Sequence, residues 1–265
     1  MAKSQPATAP STQPGFEIVG HIDSPRIPES SGIVMSRKYP GVYWTQNDSG
    51  NPPAVFAIEQ SGKLIAEFPI RASNVDWEDI ALDEHGRLYL ADIGNNFHNR
   101  WQIQIYRVAE PDPRAPVHAL VPDREWKLSY PDQPFDAESF FVLGDNGYII
   151  SKMFNLSAAE LYRFSLSSND PVIELHKVAT LSLRIPCTAA DVSLDGKWLA
   201  IMTLAGPFVY KINGDPLRAA KVDSWHATFF DPQAEGVCFV PGGLLATTEG
   251  RRVIFFPFST DISRK

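Results

Sequence analysis

A short phrase recurs five times along this 265-residue chain, and its first position carries an oxygen-bearing side chain in four of the five copies. The copies begin at Ser31, Glu78, Glu138, Ala190 and Glu235. Successive copies lie 47, 60, 52 and 45 residues apart, the range of repeat lengths seen in β-propeller blades. The spacing is therefore typical of a repeat whose unit is one small sheet.

Each copy of the phrase is followed by the pattern of a β-hairpin. An apolar strand leads into a turn that contains glycine, and a second apolar strand follows. The turn glycines assigned in this way are Gly41, Gly86, Gly147, Gly196 and Gly243. A third strand follows in all five repeats and a fourth strand in the first four. The fifth repeat lacks a fourth strand, because the sequence stops at Lys265.

A strand-like segment before the first repeat supplies the missing strand. Residues 16–22 alternate in polarity, and we expect them to complete the last blade, which closes the ring and removes two exposed sheet edges. An open solenoid and a two-sheet sandwich are the alternatives. The sequence thus predicts an all-β, five-bladed β-propeller with four-stranded blades. We expect a single domain at 16–260, a disordered tail at 1–15 and a short tail at 261–265.

Charge and composition exclude several kinds of partner. A net charge of −7 argues against nucleic acid or an anionic membrane as the main partner. No apolar stretch is long enough to cross a bilayer, and no signal peptide is recognised. The first residues are similar to the linker that remains after a leader is removed, so we expect a periplasmic or secreted monomer. Cys187 and Cys238 are predicted to be buried thiols rather than a disulfide.

The recurring acids predict a metal site. The first strand of each propeller blade lines the axis, so Glu78, Glu138 and Glu235 would lie about 5 Å apart and repel pairwise by roughly 3 kcal/mol at an effective dielectric of about 20. A cation would relieve this repulsion, and an oxygen-only set without His or Cys favours calcium over zinc. We predict calcium bound by Ser31, Glu78, Glu138 and Glu235. The alternative is that the acids pair with arginines or cap loop amides.

Two further polar sets converge on the same mouth of the channel. Two residues before each phrase stand side chains that could hold waters or orient the ligands: Glu29, Asp76, Asp136, Thr188 and Gln233. After the second strands, Asp48 and Asp92 are candidates for a general base or a water-positioning group. The predicted substrate-binding residues are Asn95, Asn96, Arg100, Lys152, Glu249 and Arg251, with the cations among them holding a small anion. Simple turn formation is the alternative for 47–50 and 92–96.

The order Ser, Glu, Glu, small residue, Glu resembles the calcium-activated nucleotidases, also called salivary-type apyrases. The resemblance implies a five-bladed propeller with an axial calcium at Ser31, Glu78, Glu138 and Glu235. It also makes Asp48 similar to an acidic turn residue of that family's first blade. The chain departs from the family at Ala190, where the family has Ser; Thr188 or a backbone carbonyl could substitute. Segments 76–81 and 91–96 also resemble uncharacterised bacterial propeller proteins, a resemblance that implies no activity.

Three functions follow from these patterns. The first is a calcium-dependent hydrolase of phosphate esters or anhydrides, in which Asp48 or Asp92 activates water at the mouth. The second is a propeller without catalysis, in which calcium is structural and the mouth binds a ligand or partner. The third is a glycosidase with paired carboxylates such as Asp76 and Glu138. A missing row of axis-facing aromatic residues counts against the third.

Overall fold

The computed structural model describes residues 15–115 and 119–259, and the chain forms a five-bladed β-propeller. The predicted tails at 1–15 and 261–265 lie outside the described residues, apart from Gly15. The predicted domain limits therefore stay predictions. The predicted fold class is confirmed.

Each blade contains four antiparallel strands, the first of which lies nearest the axis. Blade 1 contains β2 (Ser30–Met35), β3 (Tyr43–Asn47), β4 (Ala54–Ile58) and β5 (Leu64–Pro69). Blade 2 contains β6 (Trp77–Leu82), β7 (Arg87–Asp92), β8 (Gln102–Ala109) and β9 (Arg124–Ser129). Blade 3 contains β10 (Ala137–Leu143), β11 (Asn146–Ser151), β12 (Glu160–Ser165) and β14 (His176–Thr180). Blade 4 contains β15 (Cys187–Val192), β16 (Trp198–Thr203), β17 (Phe208–Lys211) and β18 (Ser224–His226). Blade 5 contains β19 (Ala234–Val240), β20 (Gly243–Thr248), β21 (Arg252–Pro257) and β1 (Glu17–His21).

The strand β1 closes the ring as predicted. It pairs antiparallel with β21, with Glu17 opposite Phe255 and His21 opposite Arg252. The ring of Phe16 packs edge-on against Phe229 at a centroid distance of 4.7 Å. Two segments that are distant in sequence therefore share one sheet, in which β1 is the outer strand that completes blade 5.

The turn between the first and second strands of every blade contains a glycine with positive φ. These residues are Gly41, Gly86, Gly144, Gly196 and Gly242, with φ of 79°, 71°, 55°, 66° and 84°. The assignments of Gly147 and Gly243 to the turns are wrong, because those residues lie inside β11 and β20. Both blades carry two nearby glycines, and only the one in the left-handed region can form the tight turn.

The outer edge of blade 2 differs from the prediction. Four strands are predicted for each blade, but two strands follow β12 and go to different blades: β14 completes blade 3, whereas β13 (Ile173–Glu174) pairs in parallel with β9 of blade 2. Blade 2 thus gains a fifth strand from its neighbour. A 3₁₀ helix at Pro216–Ala220, capped by the Asp215 side chain, precedes β18.

The core of the described residues is divided among the five junctions between neighbouring blades. Each junction holds its own cluster of buried apolar residues, including the one between blades 5 and 1 that contains Ile33, Phe56 and Leu245. Cys187 and Cys238 are buried and free, as predicted. Within 15–115 and 119–259, no helix is long and apolar enough to cross a membrane.

Candidate functional site

Every first strand opens with a β-bulge, and in four of the five blades the bulged residue is the first residue of the recurring phrase. The pairing with the second strand skips one residue in each blade, between Ser30 and Gly32 in blade 1 and at the corresponding place in the others. The skipped residues are Ser31, Glu78, Glu138, Thr188 and Glu235. A bulge re-aims a side chain out of the regular alternation, and bulges are common beside active sites. The ring of oxygen-bearing side chains is thus built by one repeated backbone irregularity.

The fourth member of this ring is Thr188, and the assignment of Ala190 to it is wrong. The bulge of blade 4 lies between Cys187 and Ala189. The Asp79 carboxylate provides an independent check, since its Oδ2 accepts hydrogen bonds from the amides of Phe140 at 2.9 Å and Ala190 at 3.0 Å. Ala190 therefore corresponds to Phe140, two residues after the bulge. All five ring positions carry oxygen, and no gap exists in blade 4.

One half of the ring joins blades 1 and 2. The Ser31 hydroxyl donates to the Glu78 carbonyl at 2.9 Å and lies 3.5 Å from Glu78 Oε2. Glu78 is buried, and burial followed by the neighbouring Glu138 raises its pKa well above the usual value. The carboxylate is therefore held in an environment that favours a proton or a cation.

The other half of the ring contains a lysine. The Lys152 ammonium forms an ion pair with Glu138 Oε1, and both side chains are nearly buried. Burial raises the pKa of Glu138 to about 7 although Lys152 opposes the shift, and burial together with Glu138 raises the pKa of Glu235 to about 10. The second carboxylate oxygens of both glutamates are buried and have no hydrogen-bond partner among the described residues. The alternative of pairing with a basic side chain thus applies to this half of the ring.

A cluster of three carboxylates stands at the mouth between blades 1 and 2. Asp48, Asp76 and Glu78 each offer an oxygen, and these atoms all lie within 4.8 Å of one another. Burial is the main cause that raises the pKa of Asp48 and of Asp76, and the charge of Asp48 adds to the shift of Asp76. We call these residues the acidic trio. Its oxygen-only composition suits a hard divalent cation.

The turn after β7 lies directly against the acidic trio. A methyl group on Gly94 would overlap the carboxylates of Glu78 and Asp76. The Gly94 amide donates to the Asp76 carbonyl at 3.1 Å, and the Asn95 amide donates to Asp136 Oδ1 at 2.9 Å. Only glycine lets the backbone approach this closely, so Gly94 is required by space rather than by its φ angle.

The structure gives Asp92 a positioning role. Its fully buried carboxylate accepts hydrogen bonds from the Asp76 amide at 3.1 Å and from Arg100 Nη2 at 2.7 Å. Arg100 also donates to the Gly94 carbonyl at 2.6 Å. Both bonds to the Asp92 carboxylate end on Oδ1, and Oδ2 accepts from the Val75 amide at 3.3 Å, so we assign Asp92 no role as a general base. The Asp92–Arg100 ion pair fixes the turn after β7, against which the acidic trio packs.

The remaining predicted substrate-binding residues are spread over the mouth. Asn95 is buried and holds its own loop, accepting from the Arg100 amide and donating to the Tyr130 hydroxyl, both at 3.0 Å. Asn96 is exposed. Glu249 accepts from Gln233 at 3.3 Å, and Arg251 has a φ of 63° in the following turn. No described contact joins these last three residues to the acidic trio.

Sequence reasoning missed two features of the mouth. Asp76 is predicted to support the ring or to act as a glycosidase carboxylate, whereas the structure places it in the acidic trio. Exposed apolar side chains also rim the mouth on the loops of blades 2, 3 and 5: Phe97, Trp101, Phe154 and Phe230 are 87%, 61%, 66% and 80% exposed. Aromatic residues inside otherwise polar turn segments were the signal that could have identified this rim.

Comparisons with known proteins find solved structures that are similar to this chain at low sequence identity. No protein-family model and no curated protein matches the chain. Virginiamycin B lyase from Staphylococcus aureus is 11% identical with a TM-score of 0.49, covering 92% of this chain and 99% of the lyase. A gluconolactonase from Xanthomonas campestris is 10% identical with a TM-score of 0.48, covering 97% and 99%. Hydrazine synthase from Kuenenia stuttgartiensis is 15% identical with a TM-score of 0.47, covering 88% of this chain, which spans 60% of the synthase.

At these identities and TM-scores the comparisons carry no argument about activity. None of the three proteins is described as a nucleotidase, so the resemblance to the calcium-activated nucleotidases receives no support from them. The function has to be argued from the mouth itself.

Proposed function

We propose that this propeller is a calcium-dependent hydrolase whose reaction takes place at the mouth of the channel. The acidic trio carries the proposal, because three carboxylate oxygens within 4.8 Å of one another repel strongly unless a cation lies between them. The raised pKa values of Asp48, Asp76 and Glu78 have the cause expected for carboxylates that are buried beside like charges. Calcium accepts irregular oxygen ligation, which suits a trio contributed by two different blades.

The residues present fit such an ion. Asp48, Asp76 and Glu78 would hold it, and Gly94 leaves the space that their carboxylates occupy. This assignment differs from the ring predicted from the sequence, because Lys152 already provides positive charge beside Glu138. The ion would supply polarisation of a substrate oxygen and a lowered pKa for bound water.

The other half of the ring supplies the groups that handle a proton and a developing negative charge. Glu138, whose pKa is raised to about 7, is the group able to accept a proton from an attacking water, whereas Glu235, whose pKa is raised to about 10, holds its proton beside Glu138. The Lys152 ammonium, held by Glu138, lies where it can donate to an oxyanion. Asp92 and Arg100 keep the turn under the acidic trio in place.

The charges of the mouth bear on the substrate class. The sequence-based proposal of phosphate esters or anhydrides requires positive charge that no protein carboxylate balances. The charge of Arg100 is balanced by Asp92 and that of Lys152 by Glu138, although the Lys152 ammonium keeps N–H groups that can donate to a single oxyanion. An uncharged ester or lactone avoids repulsion by the surrounding acids. The exposed rings of Phe97, Trp101 and Phe154 offer contact for an apolar part of such a molecule. We therefore place uncharged esters and lactones before phosphate compounds.

A hydrolysis panel tests this proposal. Purified protein is freed of metal with a chelator, supplied with calcium, and assayed on aryl and alkyl esters, lactones, nucleotides and phosphate monoesters. We expect calcium-dependent turnover of an uncharged ester or lactone, lost on Asp48→Asn and on Lys152→Met. Turnover that survives both substitutions, or that needs no metal, would contradict the assignment.

The second function predicted from the sequence, a propeller with structural calcium and no catalysis, is separated by the same samples. Calcium raises the melting temperature under both functions, since a ligand that binds only the native state stabilises it. Calcium binding without turnover of any compound in the panel favours the second function.

A further inference from the structure

The axis carries negative charge below the mouth as well as at it. Asp79 follows Glu78 directly and is fully buried, and a Cβ added at Gly32 on the first strand of blade 1 would be 2.9 Å from its Oδ1. Amides of Ile80, Phe140 and Ala190 donate to its two oxygens at 2.9 to 3.0 Å. No Lys, Arg or His forms an ion pair with Asp79 within the described residues. The described donors to this buried carboxylate are neutral amides, so a cation beside it would lower the remaining cost of burying its charge.

In each blade, the residue directly after the bulge pairs with one residue of the second strand, and at most one residue of the pair has a polar side chain. Directly after the five bulges stand Gly32, Asp79, Ser139, Ala189 and Gly236. Their partners on the second strands are Gln46, Ala91, Ile150, Met202 and Thr247. The partner is polar in the two blades where the first strand has glycine, and apolar in the other three. The missing Cβ atoms of Gly32 and Gly236 leave the space taken by Gln46 Nε2 and Thr247 Oγ1.

Four blades thus place one polar side chain each at this level, and three of these side chains lack partners. Gln46, Ser139 and Thr247 are fully buried. Both amide atoms of Gln46 and the hydroxyls of Ser139 and Thr247 have no hydrogen-bond partner among the described residues. A buried polar group left unpaired costs roughly 1–3 kcal/mol, so three in one layer indicate a bound polar species.

We infer that Gln46, Asp79, Ser139 and Thr247 form a second, interior cation site, for sodium or potassium, one level below the acidic trio. The available ligands are one carboxylate and neutral amide and hydroxyl oxygens, a donor set typical of hard cations. Its single negative charge matches a monovalent ion. The acidic trio, with three carboxylates, matches a divalent ion. The two sites therefore differ in charge along one axis, and this inference does not depend on the proposed hydrolase activity.

Thermal unfolding in matched salts tests the interior site. The full chain is treated with a chelator to remove divalent ions and melted in sodium, potassium or choline chloride at equal ionic strength. We expect a saturable rise in melting temperature with sodium or potassium relative to choline, because the larger organic cation cannot enter the layer. Equal melting temperatures in all three salts overturn the inference.

Isosteric variants locate the effect. Thr247→Val and Ser139→Ala should remove the difference between the alkali salt and choline, whatever they do to the melting temperature itself. Thr203→Val is the matched control, since Thr203 is equally buried but donates to the Gly206 carbonyl at 2.8 Å outside the layer. Asp48→Asn should also leave the difference intact. A salt difference that persists in both Thr247→Val and Ser139→Ala contradicts the assignment.

Diffraction decides the case if these variants fail to fold. Crystals of the unaltered chain grown in rubidium chloride should show an anomalous peak within contact distance of Asp79 and Thr247. Density explained by water alone, or a divalent ion at that level, overturns the inference.

Discussion

Both halves of the mouth hold carboxylates close together, but the negative charge is balanced differently in each. Glu138 and Glu235 face the Lys152 ammonium, which arrives from the end of β11 and neutralises part of their charge. Asp48, Asp76 and Glu78 stand together with no basic side chain in ion-pair contact among the described residues. In one half, the Lys152 ammonium balances part of the carboxylate charge. In the other half, that charge is balanced only when an ion binds from solution. In the proposed function, this difference places the metal at blades 1 and 2 and the acid–base groups at blades 3 and 5.

Removal of the fixed cation should have the largest effect on stability. Lys152→Met leaves Glu138 and Glu235 buried without a cation, and breaking a buried pair in this way costs about 3–5 kcal/mol. We expect urea unfolding at pH 7 to give a loss of about that size, with part of the stability recovered at lower pH as the glutamates bind protons. Lys177→Met is the control: its pair with Glu160 is much more exposed, and a loss below about 1 kcal/mol is expected. Equal losses in the two variants would abolish the distinction between the halves.

Calcium affinity should depend strongly on the acidic trio and hardly on Glu235. Asp48→Asn removes one of three charged ligands, and we expect the dissociation constant measured by calorimetry to rise about 100-fold, or about 2.7 kcal/mol. Glu235→Gln alters a carboxyl on the side of Lys152 and should change calcium affinity less than about threefold. The reverse order of effects would return the ion to the ring that the sequence predicted.

The absence of a side chain at Gly94 should also be needed for calcium binding by the acidic trio. Gly94→Ala pushes a methyl group into Asp76 and Glu78, so we expect calcium affinity to fall about tenfold, or about 1.4 kcal/mol. Gly250→Ala is the matched control on the corresponding loop of blade 5, where an added Cβ would meet only side-chain atoms at 3.2 and 3.3 Å. An unchanged calcium affinity in Gly94→Ala would separate the turn after β7 from the site.

The smallest expected effect is a pH dependence of the metal-free protein. Folding raises the pKa of Asp48 and Asp76 above 3.8 and that of Glu138 to about 7, so the folded state binds more protons than the unfolded state in this interval. Stability without calcium should therefore fall as the pH rises from about 4 to about 7. Saturating calcium should reduce this fall, because it favours the charged form of the trio. Identical pH profiles of the melting temperature with and without calcium would contradict the expectation.

The sequence predicted the architecture well because the architecture depends on local patterns. Five spaced phrases, glycine turns and a spare strand at 16–22 were enough for the number of blades and the closure by β1. The error at Ala190 has a physical origin. Ala190-Asp191-Val192 resembles Glu78-Asp79-Ile80 in letters, but the position of a bulge is set by pairing with the second strand, which no local pattern displays.

The site was predictable only in part for a similar reason. That Glu78 lies at the mouth follows from its place in the repeat. Its partners do not, because Asp48 comes from a loop of another blade and Lys152 could not be ranked above Arg100 or Arg251 without coordinates. The interior layer of polar residues could not be predicted either, because its members are related by pairing between strands and not by their place within one phrase.

Anomalous diffraction from crystals soaked in calcium tests the central claim most directly. Calcium bound to proteins lies about 2.3–2.6 Å from its oxygen ligands. We predict one strong peak at that distance from oxygens of Asp48, Asp76 and Glu78, with the Lys152–Glu138 pair unbroken. A peak between Glu138 and Glu235 with Lys152 displaced, or no peak at the mouth, would contradict it.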